Sequence, residues 1–133
     1  MTDSAGDQPK ERFAPKQPVQ LAPPKDDIIT VEELSKCDGT QEDDQGRTRT
    51  WVAIKGTVFD VSAKETYEPG KSYHVFAGKE PNRALGMSSL KPEDCVSDYS
   101  GLSDKERQTL DDWYTFFSKR YNIVGRLQTG STL

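Results

Sequence analysis

Tyr67-Glu68-Pro69-Gly70-Lys71-Ser72-Tyr73-His74-Val75-Phe76-Ala77-Gly78 is the stretch on which the reading of this chain turns. Two tyrosines flank a Pro-Gly turn, and the second leads into a step of small residues. Pro69-Gly70 breaks any regular element. Tyr67 and Tyr73 therefore need not follow a helix or strand period, and they can point into one cavity from opposite ends of the loop. A loop that carries large aromatics is not a solvent loop, and we read this one as a ligand-binding loop.

Just upstream, Trp51-Val-Ala-Ile54 and Thr57-Val-Phe-Asp-Val61 are rich in β-branched and aromatic residues and meet at Lys55-Gly56. That pattern predicts a β-hairpin with Val52, Ile54, Val58 and Val61 in the core. Hairpin and loop together resemble the cytochrome b5-like haem/steroid-binding domain, and more narrowly its membrane-associated progesterone receptor (MAPR) branch. Where true cytochromes b5 carry a His-Pro-Gly-Gly haem-ligand motif, this chain has the Tyr-X-Val-Phe-Ala-Gly of that branch, from Tyr73 to Gly78. The resemblance runs from about Ile28 to Leu127, with several motifs in the right order. It implies an α+β fold, the cytochrome b5-like haem/steroid-binding fold of a small sheet with flanking helices.

The composition agrees with one domain and a tail. The chain has 133 residues, of which 30% are charged and 32% hydrophobic, a low apolar share that points to an unfolded portion. Pro9, Pro15, Pro18, Pro23 and Pro24 fall among polar residues in the first 26, so residues 1–26 are expected to form a disordered arm. The domain is expected over 27–128, with a flexible end at 129–133. A net charge of −4 without a basic block argues against nucleic acid. Cys37 and Cys95 stand apart and the chain has a single histidine, so no Cys/His zinc site can be assembled. Two unpaired thiols in a reducing compartment are favoured over a disulfide. No apolar run approaches the ~20 residues of a membrane span, and the polar first residues lack a signal-peptide core. The expectation is a cytoplasmic protein, peripheral at most to the cytosolic face of the endoplasmic reticulum.

Along the chain, Ile28-Ile29 predicts a short strand. Thr30-Val-Glu-Glu33 has the form of a capping box that opens a short helix to about Cys37. Residues 40–50 are polar without periodicity and read as an exposed loop. Asn82–Leu90 should be helical, with Ala84, Leu85 and Met87 forming an apolar wall, and Lys91-Pro92 ends it. A second capping box, Ser103–Glu106, opens a helix from Asp104 to about Lys119. Its Leu110, Trp113, Tyr114 and Phe117 recur at i, i+3, i+4 and i+7 and should pack on the sheet. Tyr121–Leu127 reads as a final strand.

The resemblance also implies a site. Tyr73 corresponds to the axial ligand of haem b, through its oxygen to iron, and Tyr67 to the second pocket tyrosine. Arg120 and Tyr121 would sit near the ligand or the macrocycle. A phenolate is a hard donor that favours ferric iron, as in catalase; a free tyrosine ionises only near pH ~10, so coordination must help remove the proton. His74 is the competing ligand, although neighbouring side chains diverge and both cannot face one iron. Phe76-Ala77-Gly78 is expected at the pocket floor. Lys79 and Arg83 are candidates for the propionates, with solvated surface charge the simpler reading of each. There is no phosphate loop and no nucleophile with a histidine base, so the expected role is non-enzymatic. By resemblance it is that of a haem-dependent regulator or chaperone of partners such as cytochromes P450 in sterol metabolism. Three alternatives stay open: a pocket for a sterol or other apolar ligand, a haem-free interaction module, and an electron-transfer b5. Pairing of two chains through exposed haem faces is open as well.

Overall fold

A computed structural model describes residues 21–62 and 64–128; residues 1–20 of the expected arm and the expected end at 129–133 lie outside the described residues. The elements are β1 (Ile28–Ile29), α1 (Val31–Ser35), β2 (Asp38–Glu42), β3 (Thr48–Ile54), β4 (Thr57–Asp60), α2 (Asn82–Met87), α3 (Asp104–Arg120) and β5 (Asn122–Leu127). The five strands form one sheet in the order β1-β5-β4-β3-β2. β1 runs parallel to β5, and every other pair is antiparallel. Ahead of β1 the chain already follows β5, where the Ala22 amide donates to the Asn122 side chain and the Lys25 amide to the Ile123 carbonyl.

The β3–β4 hairpin folds as its sequence demands. Lys55 and Gly56 both take positive φ, 51° and 84°, which gives the two-residue turn whose twist matches the strands it joins. Alternation along the strands then divides the core between the two faces of the sheet. Val52, Ile54, Phe59 and Val61 pack with Leu85, Leu110 and Phe117 from α2 and α3. Ala53 and Val58 pack on the other face with Ile29 and Leu34. The four expected core residues of the hairpin are all buried, with Val58 on the face opposite the other three.

Both capping boxes are formed. Thr30 accepts from the Glu33 amide while Glu33 accepts from the Thr30 amide, and Ser103 and Glu106 do the same at the start of α3. A buried polar node ties α2 to the hairpin turn: Asn82 accepts from the Lys55 amide at 2.9 Å and donates to the Ser97 carbonyl, and Glu80 accepts from the Gly56 amide at 2.6 Å. Burial raises the Glu80 carboxyl above its ordinary value, against the pull of the hydrogen bonds from Gly56 and Asn82. Cys37, buried, and Cys95, half-buried, are both free thiols, and desolvation raises each.

Three expectations about elements need correction. Residues 40–50 are not one loop: β2 and the start of β3 form a second hairpin there. Its strands are largely exposed, so no alternation marks them in the sequence. The hairpin is closed by Asp43, whose side chain accepts from the Gln45 and Arg47 amides and pairs with Arg49 at 3.1 Å. α2 stops at Met87 rather than Leu90, because Ser88 caps it in the left-handed conformation at φ 55°. Met87 is 36% exposed and is no part of the apolar wall that Ala84 and Leu85 build.

Candidate functional site

The loop of the two tyrosines is more ordered than its composition suggests. Glu65–Tyr67 and Ser72–Phe76 are short 3-10 turns on either side of Pro69-Gly70. Its far end is fastened to the sheet, since the Gly78 amide donates to the Trp51 carbonyl at 2.7 Å and the Ala53 amide donates to the Lys79 carbonyl. Gly78 sits at φ 72°, against the carbonyls of Leu34 and Ser35 at the end of α1, where a Cβ would have no room. Held in this way, the loop brings the two tyrosine rings to 5.8 Å between centroids.

The loop and α3 enclose an open cleft of about 650 Å³. Tyr67, Tyr73, Lys64 and Thr66 line it from the loop, and Thr109, Asp112, Trp113 and Phe116 from the helix. Ser88 and Tyr121 complete it. Tyr73 is half-buried and leans on Phe76 at 5.5 Å and Trp113 at 6.1 Å. Tyr67 is 2% exposed and packs edge-on against Phe117 and Tyr121.

The three phenols differ in what they can offer. Burial holds the Tyr67 phenol far above its ordinary value, and neighbouring Tyr121 and Tyr73 push it the same way. Its ring packs edge-on against that of Tyr121 with centroids 6.3 Å apart, so the two phenols act on each other. Burial raises Tyr121 as well, opposed by the Tyr67 phenol and by the nearby Arg120 charge. Burial thus keeps Tyr67 and Tyr121 as neutral phenols packed on each other. Tyr73 is the cleft phenol outside this pair.

The remaining candidates fall as follows. Arg120 does not line the cleft; its guanidinium lies over the face of Phe116 at 4.4 Å, behind one cleft wall. His74 faces away: its Nε2 is bonded to the Asp38 backbone carbonyl at 2.8 Å, so the ring carries a proton there and tethers the loop to β2. Lys79 and Arg83 are absent from the lining; their charges act on the Cys95 thiol and the Asp98 carboxylate instead. The cation at the cleft is Lys64, which the sequence reading passed over. Thr109, Asp112, Trp113 and Phe116 were equally unremarked as one lining face, yet they recur at i, i+3, i+4 and i+7. This is a second helical stripe that overlaps the core stripe and shares Trp113 with it. Among the described residues no group of three or more His, Cys, Asp or Glu could hold a metal ion, and no helix is long and apolar enough to cross a membrane.

No family model matches the chain. Individual relatives do. It is 46% identical over 100 residues to "Probable steroid-binding protein 3" of Arabidopsis thaliana, covering 74% of this chain and 96% of that protein. It is 40% identical over 113 residues to "Membrane steroid-binding protein 2" of Oryza sativa subsp. japonica, covering 84% of this chain but only 39% of the rice protein. Among solved structures, an Arabidopsis protein described as having a cytochrome b5 like fold superposes with a TM-score of 0.66 at 41% identity. That match covers 77% of this chain and 92% of the other.

Proposed function

We propose, from the premise that this chain belongs to the MAPR family of cytochrome b5-like proteins, that its aromatic cleft binds haem b through Tyr73. The protein then acts by binding rather than by catalysis. One observation carries this reading: of the three phenols at the cleft, Tyr67 and Tyr121 are buried and packed on each other, while Tyr73 is only half-buried and offers its oxygen to a ligand. No histidine, cysteine or methionine lines the cleft, so the donor set consists of hard oxygens. The residues present suit the group: aromatic lining from Tyr67, Tyr73, Trp113 and Phe116, a phenol oxygen among them, and an exposed cation in Lys64.

Haem, when bound, supplies an iron whose ferric state a phenolate oxygen favours. The chain's own residues do the rest. Trp113 and Phe116 give the cleft apolar surface for the macrocycle. Tyr73 would hold the iron through its phenol oxygen, and would do so as the phenolate. Tyr67 and Tyr121 hold the loop and the end of α3 together behind it, and Arg120 backs Phe116. Lys64, exposed at the cleft, is the partner we assign to a propionate, in place of Lys79 and Arg83. Partners of such a protein would be haem enzymes of the cytochrome P450 class, met at the cytosolic face of the endoplasmic reticulum, as a haem-dependent regulator or chaperone.

A second reading has its own support. The relatives cited are named for binding steroids, and the same cleft sets hydrogen-bonding Thr109 and Asp112 beside Trp113 and Phe116 on α3, with Thr66 on the loop. A sterol could occupy it without iron.

Titration of the purified protein with hemin, followed by absorbance, separates the two. A saturable ferric high-spin spectrum is expected, lost in Tyr73→Phe and retained in His74→Ala. No saturable change in the parent protein would overturn haem binding. Tight steroid binding in the same preparation would then favour the second reading.

A further inference from the structure

A second recess of about 250 Å³ adjoins the cleft. Tyr73, Ser88 and Trp113 line both cavities, so these three side chains form the partition between them. The floor of the recess is made of Phe76, Ala84 and Leu85, each no more than 2% exposed. Leu90, 49% exposed, stands at its rim beside Ser89. The Ser89 hydroxyl is already used, donating to the Asp94 carboxylate at 2.6 Å and accepting from the Lys91 amide. Tyr73 and Ser88 bring the remaining hydroxyls of the lining, and Phe76, Ala84, Leu85, Leu90 and Trp113 make up its larger, apolar part. Ser88 takes a left-handed backbone conformation that residues with a side chain seldom adopt, and from it the side chain reaches both cavities.

We propose that this recess is a separate subsite for a small hydrocarbon group, between benzene and a short branched alkyl chain in size. Enclosed apolar cavities of about 150 Å³ take up benzene; the recess is larger and open to solvent on one side, and its floor of Phe76, Ala84 and Leu85 supplies the apolar surface that such a group would cover. The group has two sources of the same chemistry: the aliphatic tail of a ligand whose ring system lies in the main cleft, or an independent small apolar molecule. In either case it contacts Tyr73 and Trp113, the residues that also face the main ligand. Occupancy of the two cavities is therefore linked, and the linkage is reciprocal. The proposal goes beyond the assignment of the main cleft and holds whether that cleft takes haem or a steroid.

The test is a benzene titration of the full chain, followed by the methyl resonances of Ala84, Leu85 and Leu90 and by Trp113 fluorescence. Saturable changes centred on these residues are expected. Leu90→Trp, a rim substitution that leaves the main-cleft lining intact, should weaken them about tenfold or more. Ala84→Leu fills the recess from the floor, and its folding is checked by circular dichroism. The absence of saturable changes in the parent, or changes unaltered by Leu90→Trp, would overturn the subsite. Two steroids, one with and one without an aliphatic side chain, then distinguish the sources. Displacement of benzene by the first alone assigns the recess to a ligand's tail, and binding of benzene beside both assigns it to a separate molecule. A failed hemin titration leaves the benzene result readable, so the two assignments stand or fall apart.

Discussion

Gly78 and Gly70 show how unequal two positions in one loop can be. Both have positive φ, 72° and 91°. A Cβ at Gly70 would meet nothing within 4 Å, whereas one at Gly78 would lie 2.9 Å from the Asp38 Cβ and 3.2 Å from two carbonyl oxygens of α1. Gly70→Ala should therefore cost only the backbone term, about 1 kcal/mol. Gly78→Ala must also push the loop off α1, adding about 1–3 kcal/mol of overlap. Urea denaturation of the two variants should show the difference, with the Gly78 variant also losing ligand affinity because its displaced loop carries Tyr73. The roles of the tyrosines and His74 were less legible in the sequence. Of the adjacent donors Tyr73 and His74, only the resemblance favoured Tyr73, and composition and spacing say nothing of where His74 is held. What separates them is the Asp38 carbonyl, 36 residues away in sequence, which engages the imidazole.

At the level of elements, legibility followed local physics. The two capping boxes close between residues three positions apart, and the Lys55-Gly56 turn is marked by its own two residues, so these signals could be read directly. β2 could not, because its pairing with β3 is made by the backbone and closed by Asp43, with no apolar face to leave a pattern. The node of Glu80 and Asn82 was invisible for the same reason, its partners lying 24 and 27 residues away. It makes a measurable prediction. Glu80 has its folded value raised by burial, so its contribution to stability is fully present below the ordinary carboxylate value of 4.5 and is lost as pH rises through the raised folded value. Glu80→Gln cannot ionise and should remove this dependence. Denaturation midpoints measured from pH 4.5 upward should then fall in the parent relative to the variant, and a parallel course for the two would refute the assignment.

Across the whole molecule, the core and the site are one aromatic assembly. Phe117 is fully buried and contacts Phe59, Tyr67, Trp113 and Tyr121, joining sheet, loop and helix. Phe117→Ala should cost about 3–5 kcal/mol, a large share of the roughly 5–15 kcal/mol that holds a domain of this kind together. Thermal melting should reveal this as a drop in midpoint together with loss of ligand binding, since Tyr67 and Trp113 both lean on that ring. The sequence stripe on α3 foretold the buried side of this assembly. The cleft side was missed because one helix carries two stripes that share Trp113, and a single-face reading stops at the first.

The hydrogen bonds from Gly78 to Trp51 and from Ala53 to Lys79 carry a further consequence, for solubility. β2 is paired with β3 only as far as Thr50, and beyond that point the end of the tyrosine loop covers the strand as a substitute neighbour. A bare strand edge is a template on which other chains assemble. Any change that frees the loop would therefore uncover Trp51–Ala53 to self-association, so damage to the binding loop should register as aggregation as well as lost affinity.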